Sequence, residues 1–198
     1  MEVSTAHGSA EVTVEGPRRP MFLLVMTHGA GGGVDSPDLA AAARAGLSEG
    51  AAVARVVQPY RVAGARAPGS VTKQDAAWLE VMAALRKRFP RVPLVQGGRS
   101  NGARVACRTA QAAGACAVVA LAFPLHPPGR PERSRALELE AAGVDVLVVN
   151  GDRDPFGVPD SAGNIHVVTL PGETHALTRN PAELQRVVGE WLAGLLVH

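Results

Sequence analysis

The chain has 198 residues, of which 46% are hydrophobic, and its formal net charge is only +2. This length suits one compact domain with a substantial core, so we expect residues 1–198 to form a single domain. A charge this close to balance does not support binding to nucleic acid or to an anionic membrane, and we expect neither partner. Residues 1–9 are expected to be loosely held, as chain ends commonly are.

The first hydrophobic run and the two cysteines bear on where the protein resides. The run over residues 21–26 is far too short to span a bilayer, and no signal-peptide cleavage site follows it. Cys107 and Cys116 have neither metal-site spacing nor the density of a disulfide scaffold. We therefore predict a cytoplasmic protein with reduced cysteines and no metal site.

Hydrophobic runs of strand length alternate with helix-length segments, a pattern typical of parallel βαβ construction. Six or seven strands are predicted, over residues 10–14, 21–27, 54–58, 94–96, 117–123, 145–150 and 164–169. Helices are predicted over residues 37–49, 72–89, 101–113, 132–142 and 181–197. Ser36, Thr72 and Asn180 stand where helix N-caps are expected. The stretch 62–70, rich in glycine, alanine and proline, is predicted to be a loop.

The most informative stretch follows the predicted strand 94–96 and reads Gly98-Arg99-Ser100-Asn101-Gly102 before a helical pattern begins. Glycines on both sides of the serine allow a turn too sharp for residues with a Cβ. Such a turn pushes Ser100 Oγ out above the carboxyl edge of a sheet. Because glycine is frequent in this chain, the position between strand and helix is what makes Ser100 a candidate nucleophile.

A serine nucleophile needs a base within hydrogen-bond reach and a third group that orients the base. In a strand-turn-helix elbow these partners follow later in the chain, first an acid and then a histidine. His175 comes just after the predicted strand 164–169 and is the histidine that fits. The other five precede the acid, lie within a strand or stand at a chain end: His7, His28, His126, His166 and His198.

The acid that would orient His175 stays open among three carboxylates. Asp154 is favoured, since an elbow-type site reaches its histidine from a loop a few residues past the preceding strand. Asp152 follows the same strand and can instead close the turn through a side-chain to backbone bond. Glu173 is a weaker alternative.

An oxyanion hole requires two backbone N–H groups aimed at the developing negative charge. We expect one from Asn101, where the start of a helix adds partial positive charge. The other is expected from Ala30, in the glycine-rich turn after the predicted strand 21–27. That turn lacks the Gly-Lys-Ser/Thr ending of a phosphate loop and the third glycine of a dinucleotide fingerprint. His28 in the same turn is predicted to be a hydrogen-bonded structural residue.

Four stretches resemble the signature sequences of the α/β-hydrolase superfamily: residues 27–31, 98–102, 151–155 and 174–175. The Gly-Arg-Ser-x-Gly elbow and the short chain resemble a small, lidless, dienelactone-hydrolase-like branch, some members of which act as scaffold proteins. The resemblance implies a three-layer α/β fold with a mostly parallel central sheet, a Ser-His-Asp triad and no cofactor.

Two departures from larger family members are expected. Only about twenty residues separate Phe123 from Val144, where lidded relatives insert a cap, so the site should be open. The leading hairpin should be reduced, because only one strand is predicted before residue 21. Dienelactone hydrolases proper use cysteine at the elbow, and Ser100 places that particular substrate in doubt.

These observations predict a serine hydrolase that cleaves a small carboxylic ester or thioester through an acyl-enzyme, as a monomer or homodimer. Phe123, His126 and Phe156 are expected to contact the substrate on the rim of the site. The loop 62–70 lies on the same predicted rim, where Arg66 or Arg130 would admit a carboxylate. The alternative is a hydrolase-fold binding or scaffold protein with little or no turnover.

Overall fold

An eight-stranded sheet forms the centre of the computed structural model, which describes residues 1–195. The strands are β1 (Glu2–Thr5), β2 (Gly8–Glu15), β3 (Leu23–Thr27), β4 (Ala52–Val57), β5 (Leu94–Arg99), β6 (Ala117–Leu121), β7 (Asp145–Gly151) and β8 (Ile165–Leu170). Their order across the sheet is β1-β2-β4-β3-β5-β6-β7-β8. Strands β3 to β8 are parallel, and the first two are antiparallel to their neighbours. The carboxyl ends of the parallel strands therefore meet at one edge of the sheet.

Residues 1–195 also form six helices: α1 (Pro37–Ser48), α2 (Pro59–Val62), α3 (Val71–Arg88), α4 (Asn101–Ala113), α5 (Ala136–Glu140) and α6 (Pro181–Leu195). The predicted end of the last helix at residue 197 lies outside the described residues. Helix α2 was not predicted, because a single turn is too short to show a helical period. No helix within residues 1–195 is both long and hydrophobic enough to cross a bilayer.

The predicted N-cap positions agree with the structure at two helices and differ at one. Asn180 Oδ1 accepts a hydrogen bond from the Glu183 N–H at 3.1 Å, as expected for the start of α6. Helix α3 is capped by Ser70, whose hydroxyl accepts from the Lys73 N–H, rather than by Thr72. Ser36 is the N-cap residue of α1, as expected, although its side chain makes no cap bond.

Hydrophobic side chains cover both faces of the sheet and produce three layers. On one face, α3 and α4 bury residues such as Trp78, Met82 and Val105. On the other face, α1 and α6 bury residues such as Leu39 and Leu184. Strands covered on both faces have no solvated side, which is why they are continuous hydrophobic runs rather than alternating ones. The predicted mostly parallel sheet flanked by helices is confirmed.

The N-terminal predictions are wrong. Residues 1–9 are not loosely held, because β1 and β2 form a hairpin in which Val3 pairs with Ala10 and is buried. The leading hairpin is therefore present rather than reduced, and the sheet has eight strands instead of six or seven. Strand β1 has four residues with one buried position, too few for its alternation to stand out in the sequence.

The connection between β6 and β7 has no inserted domain. It consists of loop segments and α5, which has five residues where a longer helix over 132–142 was predicted. The carboxyl edge of the sheet beside this connection is therefore not covered by a lid, as expected.

Candidate active site

Ser100 lies between β5 and α4 in a backbone conformation that residues with a Cβ rarely adopt. Its φ is 52° and its ψ is −111°. A backbone of this kind costs about 1–3 kcal/mol and persists only where the surroundings enforce it. Part of that enforcement is a hydrogen bond from the Ser100 N–H to the Leu121 carbonyl of β6, at 2.9 Å.

Gly98 and Gly102 allow this turn to pack directly against the end of β3. A Cβ on Gly98 would lie 2.8 Å from the Thr27 carbonyl oxygen, and one on Gly102 would lie 2.7 Å from the His28 carbonyl oxygen. Both neighbours are backbone atoms that have no freedom to move aside. The glycines therefore provide close packing, while the strained φ falls on Ser100 itself.

The structure brings together the three residues predicted to form a triad. His175 Nε2 lies 2.9 Å from Ser100 Oγ, and His175 Nδ1 lies 2.8 Å from Asp154 Oδ2. The Asp154 side chain is fully buried, whereas that of His175 keeps 19% of its surface exposed. An Nδ1–H that donates to the Asp154 carboxylate leaves Nε2 free to accept the hydroxyl proton of Ser100.

Asp154 and His175 are held by the turn that follows β7. Asp154 Oδ1 accepts a hydrogen bond from the Phe156 N–H at 2.9 Å. The Phe156 ring packs against the imidazole of His175, with ring centroids 4.2 Å apart and an interplanar angle of 32°. One tight turn thus supplies both the carboxylate and a surface that restricts the imidazole.

The other two candidate carboxylates bond backbone N–H groups of nearby turns, and among the described residues neither forms a hydrogen bond with His175. Asp152 is exposed, and its Oδ1 accepts a hydrogen bond from the Gly172 N–H at 2.7 Å. Glu173 is buried, and its Oε1 accepts from the N–H groups of Arg179 and Asn180 at the start of α6. Asp154 is therefore the carboxylate in position to orient the imidazole.

The two residues predicted to supply the oxyanion hole belong to segments that adjoin Ser100. Asn101 is the first residue of α4, so its N–H belongs to the first turn, which has no acceptor within the helix. The turn that contains Ala30 follows β3 and passes against the nucleophile. A Cβ on Gly29 would lie 3.3 Å from Ser100 Cβ.

The side chains around these two residues fix their positions. Asn101 Nδ2 donates to Gln74 Oε1 on α3 at 2.7 Å, and the Tyr60 hydroxyl donates to the Ala30 carbonyl at 3.1 Å. His28 Nδ1 bonds the Gly29 carbonyl at 2.8 Å, while its Nε2 accepts from the Gln58 N–H at 3.0 Å. His28 thus has the structural role predicted for it.

Arg99 is a residue of the site that sequence reasoning missed. Its Nε lies 2.8 Å from Oδ2 of Asp38, a fully buried carboxylate in the first turn of α1. Its Nη2 donates to the backbone carbonyl of His175 at 3.1 Å. The sequence did carry a signal for this role, because Arg99 stands directly before Ser100, just past the end of a predicted hydrophobic strand. A charge in such a position needs a partner.

Phe123 does not lie on the rim, contrary to prediction. Its side chain is fully buried in the core. Asn150, a buried residue of β7, accepts a hydrogen bond from the Phe123 N–H at 2.8 Å and donates one to the Phe123 carbonyl at 3.0 Å. These bonds hold the residue against the sheet, so Phe123 has no surface to offer a substrate.

His126 and Phe156 do lie together near the triad. Both are half-buried, and the His126 N–H donates to the Phe156 carbonyl at 2.9 Å. The loop after β6 and the turn after β7 are therefore joined beside His175.

Residues 20–178 match the family model described as an alpha/beta hydrolase domain. The fold is similar to that of XC6422 from Xanthomonas campestris, an α/β serine hydrolase without a lid. That match has a TM-score of 0.80 and 19% identity, and it covers 98% of this chain and 93% of that chain. No curated protein matches the sequence significantly.

Two further solved structures have similar folds. Dienelactone hydrolase from Anabaena variabilis matches with a TM-score of 0.78 and 15% identity over 98% of this chain and 95% of that chain. Est1E from Butyrivibrio proteoclasticus, solved with ferulic acid bound, matches with a TM-score of 0.78 and 16% identity over 100% of both chains. The family match over most of the sequence, together with this fold, shows that the chain belongs to the α/β-hydrolase family.

Proposed function

We propose that the protein is a serine hydrolase that cleaves a small carboxylic ester or thioester. The observation that carries this proposal is the continuous chain from Ser100 Oγ through His175 to Asp154, with contacts of 2.9 Å and 2.8 Å. Both distances lie in the range of good hydrogen bonds without any rearrangement. Membership of the α/β-hydrolase family supports the same chemistry.

The reaction has two halves. Ser100 Oγ attacks the acyl carbon while His175 Nε2 accepts the hydroxyl proton, and the N–H groups of Ala30 and Asn101 stabilise the resulting oxyanion. The tetrahedral intermediate collapses, and the alcohol or thiol leaves with the proton from His175. A water molecule then attacks the acyl-enzyme with His175 again as base, which releases the carboxylic acid and restores Ser100.

The substrate is expected to be small. Within residues 1–195 no lid stands over the edge of the sheet, so a large hydrophobic substrate would remain mostly in contact with water. His126 and Phe156 offer a half-buried rim on the side of His175, where the leaving group must lie to receive its proton.

Labelling with a fluorophosphonate probe and turnover of 4-nitrophenyl acetate test this proposal. Wild-type protein should be labelled at one serine, and Ser100→Ala should abolish labelling and lower kcat by about 10⁴ to 10⁶, because triad members act as a unit. Ser134→Ala, at an exposed loop position, is the matched control and should behave as wild type. A folded wild-type protein that is neither labelled nor active would instead favour a binding or scaffold role.

A further inference from the structure

A cavity of about 200 Å³ lies between α2 and α3. Its walls are mainly apolar and include Pro59, the Tyr60 ring and Pro68. Gln58, Gln74 and Ala77 also line it, and all three are buried. The triad uses none of these residues.

Two of the lining residues contact the residues proposed to hold the oxyanion. The Tyr60 hydroxyl donates to the Ala30 carbonyl at 3.1 Å, and Gln74 Oε1 accepts from Asn101 Nδ2 at 2.7 Å. Burial raises the pKa of Tyr60 to about 12, so its hydroxyl remains a donor at neutral pH. Two residues of the cavity wall therefore also hold the segments that carry the proposed oxyanion donors.

The order of the strands decides which part of a substrate faces this cavity. His175 follows β8, and α2 follows β4, and these two strands lie on opposite sides of β5, which carries Ser100. The leaving group must lie on the His175 side, because His175 Nε2 supplies its proton. The acyl group then extends the other way, toward α2 and α3.

The volume limits what the cavity can hold. An apolar cavity of about 150 Å³ accepts a benzene molecule, whereas sites for drug-sized ligands start at about 300 Å³. A volume of about 200 Å³ therefore suits one ring or a branched hydrocarbon of similar size.

The charges around the cavity favour an anion. Lys73 is an exposed lining residue, and no ion pair within residues 1–195 involves its ammonium group. None of the described lining residues is acidic. Arg66 lies on the same exposed loop, one residue before the lining residue Ala67.

We propose that this cavity is the acyl subsite, and that it takes a ring-sized apolar acyl group whose far end carries a carboxylate that meets Lys73. The proposal rests on the hydrolase function proposed above. It names the substrate class as an ester or thioester of a carboxylated, ring-sized acid.

Three 4-nitrophenyl esters test the subsite: those of acetic acid, 3-phenylpropanoic acid and 3-(4-carboxyphenyl)propanoic acid. The measured quantities are ratios of kcat/KM, so that general losses of activity cancel. Ala77→Leu should lower the ratio of phenylpropanoate to acetate at least about tenfold, because the added atoms fill the cavity. Ala67→Phe, at an exposed lining position, tests the same point without enlarging a core residue.

Lys73→Met tests the charge. It should lower the ratio of carboxyphenyl to phenyl ester about threefold, the size expected for an exposed ion pair. Lys87→Met, an exposed lysine in the last turn of the same helix, is the matched control and should leave both ratios unchanged.

The outcomes separate the two proposals. Wild-type protein that hydrolyses none of the esters, acetate included, overturns the hydrolase function and the subsite with it. Turnover of acetate with ratios unchanged in both cavity variants overturns the subsite alone. The cavity variants could lower the ratio of phenylpropanoate to acetate while Lys73→Met leaves the ratio of carboxyphenyl to phenyl ester unchanged. That result would overturn the proposed carboxylate on the acyl group.

Discussion

The orientation of His175 depends on three contacts that come from two separate parts of the chain. Asp154 bonds its Nδ1, the Phe156 ring packs on its face, and Arg99 bonds its backbone carbonyl. The first of these contacts selects the tautomer, since a carboxylate can only accept the Nδ1 proton. The other two restrict where the ring can lie.

Asp154→Asn should lower kcat for 4-nitrophenyl acetate by about 10² to 10⁴. An amide can donate to Nδ1 and so stabilise the tautomer whose Nε2 is protonated and unable to accept the Ser100 proton. Asp152→Asn is the matched control, because Asp152 lies on the same turn but bonds the Gly172 N–H. Its kcat should stay within about threefold of wild type. A larger loss in Asp152→Asn than in Asp154→Asn would exchange the two assignments.

At the scale of elements, the Arg99 side chain joins three segments of the candidate active site. It forms an ion pair with Asp38 and a hydrogen bond to the His175 carbonyl. Arg99 ends β5, Asp38 lies in the first turn of α1, and the His175 carbonyl belongs to the loop after β8. Asp38 is fully buried, and removing the partner of a buried charge costs about 3–5 kcal/mol. Arg99 therefore stabilises the fold locally and also holds the loop that carries His175.

Two variants of Arg99 should separate these effects. Arg99→Lys keeps a cation beside Asp38 but loses the planar fork that also reaches the His175 carbonyl. We expect kcat to fall about tenfold with KM unchanged, while the free energy of unfolding falls by about 1 kcal/mol or less. Arg99→Met should lose several times more stability, because it leaves Asp38 unpaired.

Denaturant unfolding and steady-state kinetics on both variants measure this split. Wild-type kcat in a folded Arg99→Lys protein would show that the bond to the His175 carbonyl does not position the base.

A second contact between elements lies beneath the elbow. Gln96, fully buried on β5, accepts a hydrogen bond from Trp78 Nε1 on α3 at 2.9 Å and donates to the Ala106 carbonyl of α4 at 2.7 Å. A buried amide is tolerated only when its groups are satisfied. These bonds hold both helices in register with the strand that ends at the nucleophile.

At the scale of the whole molecule, His28 links stability to pH. Burial lowers its pKa, outweighing the opposing effect of the hydrogen bond to the Gly29 carbonyl, with a smaller lowering from the charge of Arg61. Nε2 accepts from the Gln58 N–H, so a proton on Nε2 would displace that bond. The folded protein therefore keeps His28 neutral where the unfolded chain would protonate it.

The stability of wild type should fall as the pH drops below about 6.5, the ordinary histidine pKa. Below that pH the unfolded state binds the extra proton, so its free energy is lowered relative to the folded state. Between pH 7.5 and 5.5 the loss due to His28 should reach up to about 1.4 kcal/mol. Above pH 7.5 the loss of stability due to His28 should vanish.

Denaturant unfolding of wild type and His28→Gln at pH 7.5 and at pH 5.5 isolates the contribution of His28 to the pH dependence of stability. The other histidines are common to both proteins and cancel. Equal pH dependence in the two proteins would mean that His28 is not held neutral by the fold.

Several parts of the site followed from the order of elements alone. Parallel βαβ construction brings the carboxyl ends of successive strands to one edge, so Ser100, Asp154 and His175 become neighbours although they are far apart in sequence. The same order places the Ala30 turn beside the elbow, because β3 and β5 are adjacent. Chain order and strand periodicity were enough to select Ser100 and His175, whereas the choice of Asp154 over Asp152 and Glu173 needed the tertiary structure.

The sequence by itself determined the α/β fold and singled out Ser100 and His175 as candidate site residues, because these depend on periodicity, glycine positions and linear order. Only the tertiary structure decided that Phe123 points into the core, that Arg99 pairs with Asp38 and that β1 pairs with β2. These outcomes depend on side-chain directions and on contacts between segments distant in the chain. A hydrophobic pattern records that a residue is buried, but it does not record against which partner, and the partner is what assigns the role.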